Sequence, residues 1–278
     1  PSVQPRLDRL EFWETATEIK RMISPHGSKT LKTLLLEGQE KSEELKRAES
    51  LPQLQVSSRE TGDLIMMGIG GFTPLDGFMG HDDWKGVCEE MKMTNGIFWP
   101  IPITLSQDEK LAAGTEVALL SEETKEIMAT MKVTESYQID KELECKNVFT
   151  TTDADHPGVQ MVQEQKAWNI AGSVKVLSES YFPTEFKGIY QRPAESRKIF
   201  EDKGWKTIAA LQLRNPMHRS HEFLAKIAVE VSDGIYIPQL VGKLKAGDIP
   251  AEGRAQCIDT LVENYFVKER VVTGGYPL

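Results

Sequence analysis

The sequence predicts a chain that is α/β and β-rich: a β-rich N-terminal domain over residues 1–171, followed by a parallel-sheet α/β domain over residues 172–278. Three observations carry this. Between residues 54 and 137 the apolar runs are short and broken by Gly, Pro, Asp and Asn. After residue 172 strand-like and helix-like runs alternate, the pattern of a parallel sheet. Finally, 278 residues with 40% hydrophobic and 27% charged side chains can form real cores, in one large domain or two ordinary ones.

In chain order, helical periodicity is expected at Leu10, Phe12 and Trp13, and again over residues 31–36. Pro25, His26, Gly27 and Ser28 form a turn between them, and the charged run 37–49 forms a solvated helix face or a loop. Residues 98–105, 116–120 and 127–133 read as strands, the first of them in the core, between turns marked by Gly70, Gly71, Gly77, Asn95 and Gly114. Residues 82–91 read as a helix with Asp82 as its cap. His156, Pro157 and Gly158 then mark a change of texture.

In the second domain, a short helix starts at Pro193 and ends near Gly204, and residues 206–213 form an apolar strand. A helix over 222–231 places Phe223, Leu224, Ile227 and Ala228 at core spacing. A strand over 234–241 and a helix over 251–265 repeat the unit, and a third strand begins at Arg270 to Thr273.

Charge and cysteine content narrow the function. Thirty-three basic against forty-two acidic residues give −9, which argues against a general grip on nucleic acid or an anionic membrane, so an anionic substrate needs a strong local site. Cys88, Cys145 and Cys257 are widely spaced and show no metal-ligand or disulfide pattern. No run approaches a membrane span and the N-terminus does not resemble a signal peptide, so a reducing cytoplasm is expected.

The residues that carry chemistry are Gln212, Leu213, Arg214, Asn215, Pro216, Met217, His218, Arg219, Ser220 and His221. Here a strand runs out at Leu213, Asn215 can cap a helix, and Pro216 suits a first helical position. A helix N-terminus offers unpaired N–H groups and partial positive charge to a phosphate or sulfate. His218 and His221, three apart, share one helix face. Arg214 adds a planar fork for an oxyanion, and Gln212 adds neutral donors. Each residue alone has an ordinary reading, as surface histidine, ion pair or cap; their convergence at a strand end makes an anion site.

Gln-x-Arg-Asn-Pro-x-His-x-x-His resembles the motif of the ATP sulfurylases, a more specific match than the His-x-x-His shared with other adenylyl transferases. Similarity extends through residues 70–79, 99–105 and 156–159, and through Leu240, Val241, Gly242, Lys245, Asp248, Ile249 and Pro250. Lys245 and Asp248 read either as a loop charge pair or as support for a nucleotide pocket.

The resemblance implies a PUA-like N-terminal domain and a Rossmann-like nucleotidyltransferase domain. It implies an enzyme that converts ATP and sulfate reversibly to adenosine 5′-phosphosulfate and pyrophosphate, with Mg²⁺ on the ATP, in a homo-oligomer. Gln212 and Arg214 would hold sulfate with help from the Leu213 backbone. Gln212, Leu213, Asn215, His218 and His221 would contact the ATP phosphates; no protein-held metal is implied. Leu213 stands where many relatives have Thr, so no side-chain hydroxyl acts there, and Ser28, Lys29 and Thr30 depart from many relatives. The family continues beyond the last strand, with a Gly-Arg-Asp-His-Ala-Gly segment among other loops. The second domain is therefore expected to be truncated at its C-terminus, the N-terminal part of a longer polypeptide. Two alternatives stay open: another adenylyltransferase with the same two histidines, and an RNA-binding PUA-like module without catalysis.

Overall fold

In the computed structural model, residues 23–242 and 249–277 are described. They form two compact units, one built on Pro25–Ala194 and the other on Glu195–Leu240 with the described part of Leu244–Gly275. The expected helix around Leu10, Phe12 and Trp13, and the expected roles of Lys245 and Asp248, lie outside the described residues.

The larger unit opens on the Pro25 turn, closed by the Ser28 N–H to the Pro25 carbonyl at 3.2 Å. Residues 31–36, expected to be helical, are extended instead. Leu35 bridges Val176, Val176 N–H donates to the Leu34 carbonyl (2.9 Å), and Leu36 N–H donates to the Val176 carbonyl (2.8 Å). A short apolar run fits either period, and here sheet pairing decided. The charged run becomes α1 (Gly38–Ala48), with Glu40 in its first turn and Lys46 and Arg47 in its last, as the helix dipole favours. Glu44 is buried within it, and the Arg47 guanidinium holds its carboxyl down at about 2.

β1 (Gln53–Val56) leads into α2 (Ser58–Gly68). Ser57 and Glu60 form a capping box, with Ser57 N–H donating to Glu60 Oε2 at 2.8 Å. α2 buries Leu64, Ile65 and Met67, side chains worth about 1.5–3 kcal/mol each when withdrawn from water. β2 (Gly77–Phe78) and α3 (His81–Glu90) follow. Asp82 is not the cap of α3: Gly80 occupies that position without a side-chain bond, and Glu135 accepts from His81 N–H at 2.9 Å. Gly77 does not supply a turn either. It lies in a strand pressed so close to its neighbour that a Cβ would sit 1.9 Å from the Gly172 carbonyl oxygen.

Residues 98–105 are buried in large part but form no strand, since Pro100 and Pro102 interrupt any ladder and only β3 (Ser106–Gln107) pairs regularly. β4 (Glu116–Ser121) and β5 (Ile127–Tyr137) form as expected. α4 (Lys141–Val148) and α5 (Pro157–Gln163) follow, with His156 Nδ1 accepting from Gly158 N–H at 3.2 Å to cap α5. β6 (Trp168–Val176) and α6 (Phe182–Glu185) complete the elements of this unit.

The sheet runs in the order β1-β4-β5-β6-β2, with β3 also on β6; β1 and β4 are parallel and the other pairs antiparallel. The expected division between residues 171 and 172 falls inside β6, whose pairing with β5 spans both sides of it. A strand paired along its whole length cannot be shared between two cores, and the compact unit continues to Ala194.

The smaller unit contains most of α7 (Pro193–Asp202), then β7 (Ile208–Ala210), α8 (Arg219–Val231), most of β8 (Gly234–Val241), α9 (Ala251–Tyr265) and most of β9 (Val271–Pro277). Its three-stranded sheet runs β7-β8-β9, with β7 and β8 parallel. Leu213, Met217, Ala225, Val229, Ile235, Ile237, Ile258 and Val271 make its core. The face assigned to α8 is corrected: Phe223 (65%), Leu224 (52%) and Ile227 (46%) are exposed, while Ala225 and Val229 point inward. Both faces carry apolar residues, so spacing alone did not select the packed one.

Candidate functional site

β7 ends at Ala210, but its alignment with β8 continues irregularly. Leu211 N–H donates to the Tyr236 carbonyl (3.0 Å), Leu213 N–H to the Pro238 carbonyl (2.9 Å), and Leu240 N–H to the Leu213 carbonyl (3.2 Å). Strand alternation sends Leu213 inward, 4% exposed beside Met217, and leaves Gln212 on the outside. Arg214 is half-buried and Asn215 exposed.

The helix starts later than expected. α8 begins at Arg219, so Asn215 is not its cap and Pro216 is not in its first turn. His218 takes the cap position, with an extended backbone, and His221 falls three residues on. The two rings lie 4.0 Å apart between centroids and 35° from coplanar. His218 N–H reaches His221 Nδ1 at 3.5 Å, and Ser220 Oγ lies 2.9 Å from His218 Nδ1. An Nδ1 that accepts leaves Nε2 of neutral His221 as a donor. Burial, and then the neighbouring His218, lower the His221 pKa from its ordinary value. Glu222 follows, its carboxyl held low by Lys226 Nζ at 2.6 Å.

The structure thus brings His218 and His221 together at a helix N-terminus and ties the Leu213 backbone to β8. Gln212, Asn215 and His218 are exposed on the same continuous segment. A pair of imidazoles at a helix N-terminus can donate to phosphate oxygens and, when protonated, neutralise part of their charge.

One residue at this place escaped the sequence reading. Arg254 of α9 is 3% exposed; its Nη1 donates to the Arg214 carbonyl at 2.7 Å and its Nη2 to the Leu240 carbonyl. Its signal was present: Ala251, Ala255 and Ile258 mark the buried stripe of α9, and Arg254 stands in that stripe as a charge at a core-facing position. Among the described residues, no group of three or more His, Cys, Asp or Glu is placed to hold a metal ion. No helix among them is long and apolar enough to cross a membrane.

A family model described as a PUA-like domain matches residues 23–179, and one described as ATP-sulfurylase matches residues 187–278. The sulfate adenylyltransferase of Syntrophobacter fumaroxidans is 63% identical over 265 residues, covering 93% of this chain and 65% of the relative. The chain belongs to the ATP-sulfurylase family. Another member, the sulfate adenylyltransferase of Entamoeba histolytica, is 58% identical over 268 residues, 94% of this chain and 63% of its own. The chain therefore spans 63–65% of the length of these two ATP-sulfurylase relatives. A solved structure titled hexameric APS kinase from Thiobacillus denitrificans superposes with a TM-score of 0.69 at 26% identity, over 92% of this chain and 47% of that one. The ATP-sulfurylase match includes the two histidines, the loop before them and Arg254.

Proposed function

We propose that the protein transfers the adenylyl group of ATP to sulfate, forming adenosine 5′-phosphosulfate and pyrophosphate in a reversible reaction. The observation that carries this reading is the His218–His221 pair at the start of α8, directly after a loop that presents Gln212 and Arg214 at the ends of two parallel strands. The family supports it, because the relatives above are named for that reaction.

In the reaction a sulfate oxygen attacks the α-phosphorus of ATP as the bond to the β-phosphate bridging oxygen breaks. Pyrophosphate leaves with the electron pair. Sulfate is fully ionised near neutral pH, so no general base is required; the barrier lies in bringing two anions into line. Gln212 and Arg214 hold sulfate, with the Leu213 backbone assisting. Asn215, His218 and His221 contact the phosphates, together with Gln212 and Leu213, and the imidazoles stabilise charge on the bridging and leaving oxygens. Mg²⁺ arrives with ATP as part of the nucleotide complex. Three free cysteines fit a reducing cytoplasm, and the hexameric neighbour and exposed apolar residues of α8 support a homo-oligomer.

The test is sulfate-dependent ATP–pyrophosphate exchange by the protein expressed from its complete reading frame. Arg214→Ala is expected to lose at least about 2 kcal/mol of transition-state stabilisation, roughly thirtyfold in rate. Exchange that proceeds equally without sulfate, or is unchanged in the variant, overturns the reading.

A further inference from the structure

Arg254 is an expensive residue to bury, since a guanidinium out of water must be matched by hydrogen bonds. Two of its hydrogen bonds go to backbone carbonyls on different segments: Arg214 in the loop before α8, and Leu240 near the end of β8. Those carbonyls lie where the β7–β8 pairing has become irregular. Ladder bonds persist there through Leu213 and Leu240. The side chain comes from a third element, α9, otherwise anchored by Ala251, Ala255 and Ile258. A planar fork can bond two acceptors in fixed relative positions, which an ammonium point charge cannot reproduce.

We propose that Arg254 is a positioning residue: by joining the Arg214 and Leu240 carbonyls it sets the backbone that aims the Arg214 side chain at the anion. The catalytic part of this inference rests on the function proposed above; the structural part does not. Removing the clamp takes one restraint off the Arg214 peptide. Misaligned anions lower turnover more than they weaken nucleotide binding, because alignment is needed most in the transition state.

The experiment compares Arg254→Lys, Arg254→Met and, as a control for general loosening of α9, Ile258→Ala, all in the full-length protein. Amide hydrogen exchange at Leu213 and Leu240 reads the clamp whatever the reaction is. Arg254→Lys and Arg254→Met are expected to speed it about tenfold or more relative to Ile258→Ala at matched stability. In sulfate-dependent exchange, kcat per folded molecule is expected to fall about tenfold or more, with KM for ATP changing less than about threefold; Ile258→Ala keeps its kcat. The proposal is overturned if Arg254→Lys retains full kcat, if Ile258→Ala loses as much kcat per folded molecule, or if neither Arg254 variant folds. Absence of sulfate-dependent exchange in the unsubstituted protein instead sinks the functional reading, while amide exchange still judges the clamp.

Discussion

Two imidazoles 4.0 Å apart at a helix start have an electrostatic consequence for ligand binding. Burial and the neighbouring His218 lower the His221 pKa, so the free protein favours neutral His221 near pH 7. A bound polyphosphate favours the protonated ring and raises that pKa. Binding therefore takes up a proton, and affinity rises as pH falls through the bound-state pKa until the free ring also protonates. Titration calorimetry with pyrophosphate is expected to show affinity growing about threefold to tenfold from about pH 8 to about pH 6, with proton uptake across buffers of different ionisation heat. His221→Gln should flatten this dependence; an equally steep profile in the variant would assign it elsewhere. The motif was legible as residues, but its cap geometry was not. Asn215 is an acceptable helix cap in one dimension, but Leu213 is still paired with β8 and the helix begins at Arg219.

Elements were legible where an apolar run between turn residues coincides with real burial. β4, β5 and α9 match their expected positions closely: Val117, Ala118 and Leu119 in β4 and Met128 to Met131 in β5 are consecutive buried residues, and α9 buries a helical stripe. α2 was missed although its start was written in the chain as Ser57, Glu60 and the apolar run that follows, a capping box ahead of a buried helix. Residues 98–105 failed in the opposite sense, because burial of an apolar run does not imply a ladder when prolines remove its donors. The close approach of β2 to β6 gives a test at this scale. Gly77→Ala forces a methyl against backbone of Gly172 and should cost about 2–4 kcal/mol in urea unfolding. Gly96→Ala meets open space and bears only the strain of φ +80°, about 1 kcal/mol. Equal losses would mean that the tight contact between strands is not maintained in solution.

At the scale of the molecule, a net charge of −9 surrounds the proposed anion site. Specific donors must act locally against that field, and a phosphate backbone without the right geometry has little to hold it. Filter binding with single-stranded RNA at about 50 mM salt is expected to detect no salt-sensitive association, despite the PUA-like domain. Binding that weakens steeply with added salt would revive the RNA-binding alternative.

By itself the sequence determined the class of the fold, the two-part order and the chemical types gathered between Gln212 and His221, because composition, periodicity and motif are properties of neighbours along the chain. Tertiary structure alone decided that β6 belongs wholly to the first sheet, that α8 packs through Ala225 and Val229, and that Arg254 reaches the Arg214 carbonyl. Each of those depends on which distant backbone supplies hydrogen-bond partners or excludes water, and contacts across such separations leave no period in the sequence.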